Sequence, residues 1–308
     1  MDFYFAPLQG YTDYHYRNVH HRVVGGMTGY FTPFVRYEGG GMRAKDVRDL
    51  LPENNDGVPT IPQVIASSRD EFCYLCDKLQ AMGWDRIDLN MGCPFPLQTG
   101  RGRGCALMSH SDQAEAVIRA MDERKEVSFS VKMRLGYASS AESLVLMPMI
   151  NDSAVRLVTI HPRIGSQQYR GEVDMEGFDT LVSLCRKPLI YNGDITTEEQ
   201  IAQMGKRYPH LQGIMIGRGL LARPTLVRDY LQLGQPMDGF ATMMQMHDAL
   251  LERIERNYCG DSQILSRMRA FWEYQSEAIP RKAYKQMMKC GSLRNYLRAY
   301  EAMKTERL

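Results

Sequence analysis

Residues 189–219 read LIYNGDITTEEQIAQMGKRYPHLQGIMIGRG. The runs LIYN and GIMIG at its two ends are short, apolar and rich in strand-forming side chains. Between them, Thr196-Thr197-Glu198-Glu199 opens a helix with acids in its first turn, where the helix dipole favours negative charge. Strand, helix and strand within some 30 residues make a βαβ unit, whose two strands run parallel.

The same unit recurs towards the N-terminus. Strand-type runs begin near Phe3 (FYFAP), Phe31 (FTPFVR), Ile61 (IPQVI), Arg86 (RIDLN), Phe129 (FSVKM) and Arg156 (RLVTIH), then at Leu189 and Gly213. They are separated by 28, 30, 25, 43, 27, 33 and 24 residues. Each gap holds an amphipathic stretch such as 68–82 or 111–124. Eight strands alternating with helices over about 225 residues predict an α/β protein of the (β/α)8 TIM-barrel class. A doubly wound open sheet would want fewer strands and a GxGxxG after the first one; neither is present. Beyond Gly234-Gln235-Pro236 the pattern becomes helical over 240–257, 264–276 and 281–303, broken by residues 259–261, Pro280 and Gly291. We therefore expect a barrel over residues 1–236 and a helical-bundle domain over 237–308.

Composition narrows the class further. The 308 residues are 44% hydrophobic and 24% charged, which excludes disordered and fibrous chains. No apolar run approaches the roughly 18 residues of a membrane helix; 144–150 is among the longest, and Pro148 interrupts it. The short run 3–8 lacks a preceding basic region, so no signal peptide is expected. Seven scattered cysteines argue against a disulfide framework and for a reducing cytoplasm. Cys73-x-x-Cys76 lies in a helical pattern without a second CxxC, and the histidines lack ligand spacing, so no metal is expected. The net charge of +2 says little, but residues 241–308 carry 12 Lys/Arg against 8 Asp/Glu. Within them, 278–298 holds Arg281, Lys282, Lys285, Lys289, Arg294 and Arg298 with no acid, interleaved with Tyr284 and Tyr296. Such a run is either a solvated helix face or a patch for a phosphate backbone.

Barrel active sites lie at the C-terminal strand ends. Here those ends carry Pro7 to Gly10, Arg36, Gln63, Asn90, Lys132 with Arg134, His161 with Arg163, Asn192 with Asp194, and Gly217-Arg218-Gly219. Nearly every strand offers a polar group, which a barrel without a ligand would not need. The last two ends are small and rich in donors, as a phosphate site after strands seven and eight would be. The longest gap follows strand four and holds Asn90-Met91-Gly92-Cys93-Pro94, then the glycine-rich 100–105. Cys93 sits in that loop between Gly and Pro, the stronger of two candidate reactive thiols; Cys105 precedes an apolar run.

These segments resemble the tRNA-dihydrouridine synthases. The resemblance rests on APLQGYTDYHYR at the first strand, IPQV at the third, and DLNMGCP with TGRGRGCALM at the fourth. It continues with VKMRLG, HPRIGSQQYRG, NGDI and GIMIGRG, in the family's order over residues 6–224. The tail segment SRMRAFW, 266–272, is similar more loosely. The resemblance implies an FMN enzyme that reduces the C5–C6 double bond of selected uridines in tRNA, with NADPH as reductant. Carried over, Pro7, Leu8 and Gln9 line one side of the FMN, Gln63 and Lys132 contact its ring system, and His161 lies near the flavin and its phosphate end. Asn192, Gly193, Asp194, Gly217 and Arg218 take the ribityl and phosphate groups. Cys93 becomes the general acid, a role suited to a thiol that is mostly protonated near neutrality. Asn90 would meet the uracil edge, with Arg36, Tyr169, Arg267 and Arg269 as further RNA contacts. A base-modifying enzyme must take its target out of the stack, which gives a basic helical tail a purpose.

Two positions depart from the family. The sixth-strand motif, usually His-Gly-Arg-Thr-Arg, is His161-Pro162-Arg163-Ile164-Gly165 here, which removes a contact to phosphate or substrate. Gln9 stands where a small residue is common. A soluble, monomeric, cytoplasmic enzyme acting on tRNA is the expectation. The rivals are a flavin barrel acting on a small molecule or on rRNA, a Schiff-base lyase using Lys132 beside Arg134, and a non-catalytic RNA binder.

Overall fold

The computed structural model describes residues 1–305; the last three residues of the expected tail domain lie outside the described residues. Strand β1 (Asp2–Phe5) is followed by β2, in two pieces (Gly29–Phe31 and Val35–Glu38), and β3, also in two (Thr60–Ile61 and Gln63–Ile65). Then come β4 (Arg86–Met91), β5 (Ser128–Gly136), β6 (Val155–Ile164), β7 (Leu189–Tyr191) and β8 (Gly213–Ile216). Neighbours pair in parallel from β3 through β8, and β8 returns to β1 with Asp2 opposite Gly213. The ring closes through the split strands: the first pieces of β2 and β3 pair with each other, and so do the second pieces. The splits fall at Pro33 and Pro62, where no N–H exists to continue the ladder. The expected (β/α)8 barrel is therefore the observed one, among the described residues.

Alternation places the side chains. Phe3 and Phe5 on β1 face the surrounding helices, while Tyr4 and Ala6 join Phe31, Ile61, Ile190 and Met215 in a small cluster inside the barrel. The helices follow the expected pattern: α1 (Tyr14–Val23), α2 (Ala44–Leu50), α3 (Arg69–Ala81), α4 (Ser111–Asp122), α5 (Ala141–Asn151), α6 (Met175–Leu184), α7 (Glu198–Arg207) and α8 (Leu226–Tyr230). The start read at Thr197 is a capping box: its hydroxyl accepts the Gln200 N–H, while the Gln200 side chain accepts the Thr197 N–H. Cys73 and Cys76 lie on α3, with Cys76 fully buried.

The tail forms α9 (Gly239–Asn257), α10 (Asp261–Glu273), α11 (Arg281–Lys289) and α12 (Leu293–Thr305). Helix α9 packs along α1, and the Gln275 amide donates to the Leu221 carbonyl. Inside the tail, the Tyr296 hydroxyl accepts Trp272 Nε1 at 2.6 Å and lies 2.6 Å from His247 Nε2. Tyr296 thus belongs to the tail's core. The six basic residues of 281–298 are exposed and, among the described residues, form no ion pair. No described helix is long and apolar enough to cross a membrane.

Candidate active site at the barrel mouth

Parallel register brings the polar residues together. Gln63 pairs with Asp88, Asn90 with Lys132, Lys132 with Thr159, and Arg134 with His161. Because neighbouring positions in register share a face, Gln63, Asp88, Asn90, Lys132 and His161 all belong to the inner wall of the barrel's outer half.

Three of them, Asp88, Gln63 and Asn90, form a relay of hydrogen bonds that ends at the backbone of Cys93. Gln63 Nε2 donates to Asp88 Oδ2 at 2.7 Å, and Asn90 Nδ2 donates to Gln63 Oε1 at 2.8 Å. Asn90 Oδ1 then accepts the backbone N–H groups of Gly92 at 3.0 Å and Cys93 at 2.8 Å. The other face of the Cys93 loop rests on Gly104, where φ is +63° and a Cβ would overlap the Cys93 carbonyl oxygen. Only glycine satisfies both conditions. Arg134, buried, donates from Nε to the Gly92 carbonyl at 2.8 Å and from Nη1 to those of Ile164 and Gln168.

Burial sets the charges. It pushes the Cys93 thiol up, against the Phe95 N–H and the cations Arg134 and Lys132, so the thiol is protonated at neutral pH. Burial and then Arg134 bring Lys132 down to about 8, with Asp88 and Cys93 opposing. Asp88 is pushed up to about 6 by burial despite the bonds from Ser130 and Gln63. His161 is held well below its usual value by burial and by Arg134, Lys132, Arg163 and Arg218. Its Nε2 lies 3.2 Å from Arg163 Nη1, a group that only donates, so the neutral ring carries its proton on Nδ1.

A cavity of about 390 Å³ opens on this wall. Its lining includes Pro7, Leu8, Lys132, His161, Tyr169, Asn192, Gly193, Asp194, Gly217 and Arg218, ten of the expected site residues. Tyr169 lies beneath Arg134 and Arg218, their guanidinium carbons 5.4 and 4.9 Å from its ring centre. Asp194 accepts from Arg163 and, at 2.7 Å, from Arg218. Burial opposes ionisation of Asp194, yet those two cations hold its carboxyl below the usual range. At Gly217 a Cβ would meet Ala6 Cβ at 3.3 Å and Leu8 Cδ1 at 3.5 Å, so a larger residue would fill the cavity.

The remaining expected residues stand elsewhere. Gln63, Asn90 and Cys93 are not in the cavity lining; the relay links them to one another and to Asp88, and Asn90 Oδ1 is committed to the loop. Gln9 is exposed and donates to the Phe34 carbonyl at 2.9 Å. Arg36 is ion-paired to Glu38 at 2.9 Å. Arg267 covers the Tyr258 ring at 3.6 Å, and Arg269 donates to the Cys290 carbonyl, both half-buried. Sequence reasoning does not reach Asp88, which carries the relay, or Tyr274, which lines the cavity from the tail. The β4 alternation Asp88, Asn90 is the available signal for the first; a contact between distant helices leaves none for the second.

A family model described as dihydrouridine synthase matches residues 4–305. The chain belongs to the dihydrouridine synthase family. A probable tRNA-dihydrouridine synthase of Rickettsia conorii is 27% identical over 289 residues, covering 90% of this chain and 85% of that one. A tRNA-dihydrouridine synthase B of Pasteurella multocida is 25% identical, covering 73% of this chain and 67% of that one. Among solved structures, histamine dehydrogenase from Rhizobium sp. 4-9 aligns with a TM-score of 0.56 at 15% identity, over 75% of this chain and 45% of that one. A chitinase from Pseudoalteromonas aurantia aligns at 0.51 and 9% identity, over 75% of this chain and 99% of that one. Such likenesses establish the barrel and leave the chemistry to the site. Members of this family are uridine-reducing oxidoreductases, so the chain is an enzyme of that class.

Proposed function

We propose that this dihydrouridine synthase binds FMN, is reduced by NADPH, and reduces the C5–C6 double bond of specific uridines in tRNA. The observation that carries the reading is a half-buried cysteine, its backbone N–H held by Asn90, at the rim of a barrel whose inner wall presents Lys132. The cavity suits a flavin: Ala6, Pro7, Leu8 and Met215 offer an apolar side, and among the described residues Lys132 forms no ion pair within 4 Å. Gly193 and Gly217, with Arg218, would leave room and donors for a ribityl phosphate, and Asn192 lines the same end of the cavity.

Bound and reduced, the flavin supplies the hydride that goes to uracil C6. Lys132 and the Nδ1–H of His161, both in the cavity lining, would offer donors to an anionic reduced cofactor. As negative charge grows on the uracil towards C5, Cys93 delivers its proton there. Gln63 and Asn90 keep the loop, and so the Sγ, in place. Gln9 stiffens the β1 loop by its bond to Phe34, beside the Pro7 and Leu8 that line the cavity.

The tail, 237–308, would act as the RNA-gripping domain of a cytoplasmic monomer. Its support is charge without ion pairs among the described residues: the exposed basic residues of 281–298. Arg36 and Tyr169 stand at the barrel rim for the same RNA, and Arg267 and Arg269 serve by holding the tail's helices.

The test is anaerobic. NADPH should bleach the flavin band, and tRNA lacking dihydrouridine should restore it while free uridine does not. A reduced flavin indifferent to tRNA would move a small-molecule or rRNA substrate ahead, and a protein that takes up no FMN would end the flavin reading. Full turnover by Cys93→Ala would remove Cys93 as the acid.

A further inference from the structure

The loop that carries the thiol also carries the two most exposed of the described large hydrophobic side chains, Leu97 at 69% and Phe95 at 56%. One exposed apolar residue needs no explanation; two on one rigid turn beside a reacting group mark a contact surface. The turn is rigid for local reasons. Pro94 and Pro96 fix the backbone on either side of Phe95. The Phe95 carbonyl accepts the N–H groups of Gln98 at 2.8 Å and Thr99 at 3.0 Å, and the carbonyl of the buried Gln98 in turn accepts those of Arg101 and Arg103. The Phe95 N–H faces the Cys93 sulfur. One residue therefore steadies the thiol with its backbone and turns its ring to solvent.

We propose that Phe95 and Leu97 form an apolar wedge that stacks on the bases flanking the target uridine after that uridine leaves its stack. The proposal rests on the reading that the substrate is a uridine within RNA. Extruding a base bares the faces of its neighbours, and a ring with a branched side chain replaces the missing stacking whatever those neighbours are. Tyr169, 52% exposed on the loop after β6, presents a further ring at the same mouth. A small free substrate would give these side chains nothing to cover. The turn also carries no charge of its own between residues 93 and 100, so it offers phosphates nothing.

The experiment compares wild type, the double variant Phe95→Ala/Leu97→Ala, and Phe95→Trp, with tRNA lacking dihydrouridine as substrate. We expect KM for tRNA to rise about ten- to a hundred-fold in the double variant, with a smaller change in kcat and an unchanged thermal midpoint. Phe95→Trp, which keeps a stacking face, retains the wild-type KM. A KM within twofold of wild type in the double variant overturns the wedge. So does a defect confined to kcat or accompanied by a lower melting temperature, since that is what a merely structural turn would give. If wild-type protein itself forms no dihydrouridine in tRNA, the underlying reading fails instead, and the two failures are told apart within one series.

Discussion

Gly104 supports Cys93 through backbone alone: the missing Cβ is the space occupied by the Cys93 carbonyl oxygen, which also accepts the Cys105 N–H at 3.1 Å. The glycine-rich stretch that follows the thiol is thus a seat for it, not a hinge.

Gly104→Ala should therefore be costly twice over. The left-handed backbone costs about 1–3 kcal/mol with any Cβ, and the overlap displaces the loop. Urea unfolding should show at least that loss of stability, and turnover on tRNA should fall further than stability alone requires.

Asn90→Ala removes the acceptor shared by Gly92 and Cys93. Leaving a buried N–H without a partner costs about 1–3 kcal/mol, so the loop loosens. Dihydrouridine formation should drop at least tenfold while flavin content, read from the visible band, stays as in wild type. An unchanged kcat would show that the thiol finds its place without Asn90.

Asp88 raises the affinity of Lys132 for its proton, against burial and Arg134. With the ammonium as the working form, activity falls as pH rises through about 8. Asp88→Asn removes the supporting carboxylate, so that alkaline limb should move to lower pH. A pH profile of kcat for the two proteins measures the shift, and a limb that stays put would separate Asp88 from Lys132. Stability runs the opposite way for this lysine: its folded value lies below the ordinary 10.5, so its penalty is present below about 8 and is relieved as pH rises towards 10.5.

Arg281, Lys285 and Lys289 lie exposed on α11, without ion pairs among the described residues. Replacing all three by alanine should change stability by no more than about 0.5 kcal/mol each. The dependence of tRNA binding on log salt should become shallower, by about one unit for each phosphate no longer neutralised. Filter binding at several salt concentrations reads the slope, and an unaltered slope would make α11 an ordinary solvated face.

The barrel and most of its mouth are legible in the sequence because parallel strands alternate with period two. Once Asn90, Lys132 and His161 are placed at strand ends, their common face follows from register. Side-chain commitments are not legible in the same way. Asn90 looks free in a sequence, yet its carbonyl oxygen is used within three residues. Arg267 and Arg269, two residues apart, lie on different sides of one helix, and only the structure shows that the first covers Tyr258 and the second bonds the Cys290 carbonyl. Tyr296 looks like part of a basic surface until its hydroxyl is seen between Trp272 and His247. The split strands have a visible cause, Pro33 and Pro62, although the way they complete the ring needs three-dimensional pairing.

Arg134 has a mechanical consequence. One guanidinium holds carbonyls of the loop after β4, at Gly92, and of the end of β6 and the segment beyond it, at Ile164 and Gln168. Either segment can move away from β5 only by breaking charge-assisted bonds to this one side chain. The outline of the mouth is thus tied to a buried side chain that is not itself in the cavity lining.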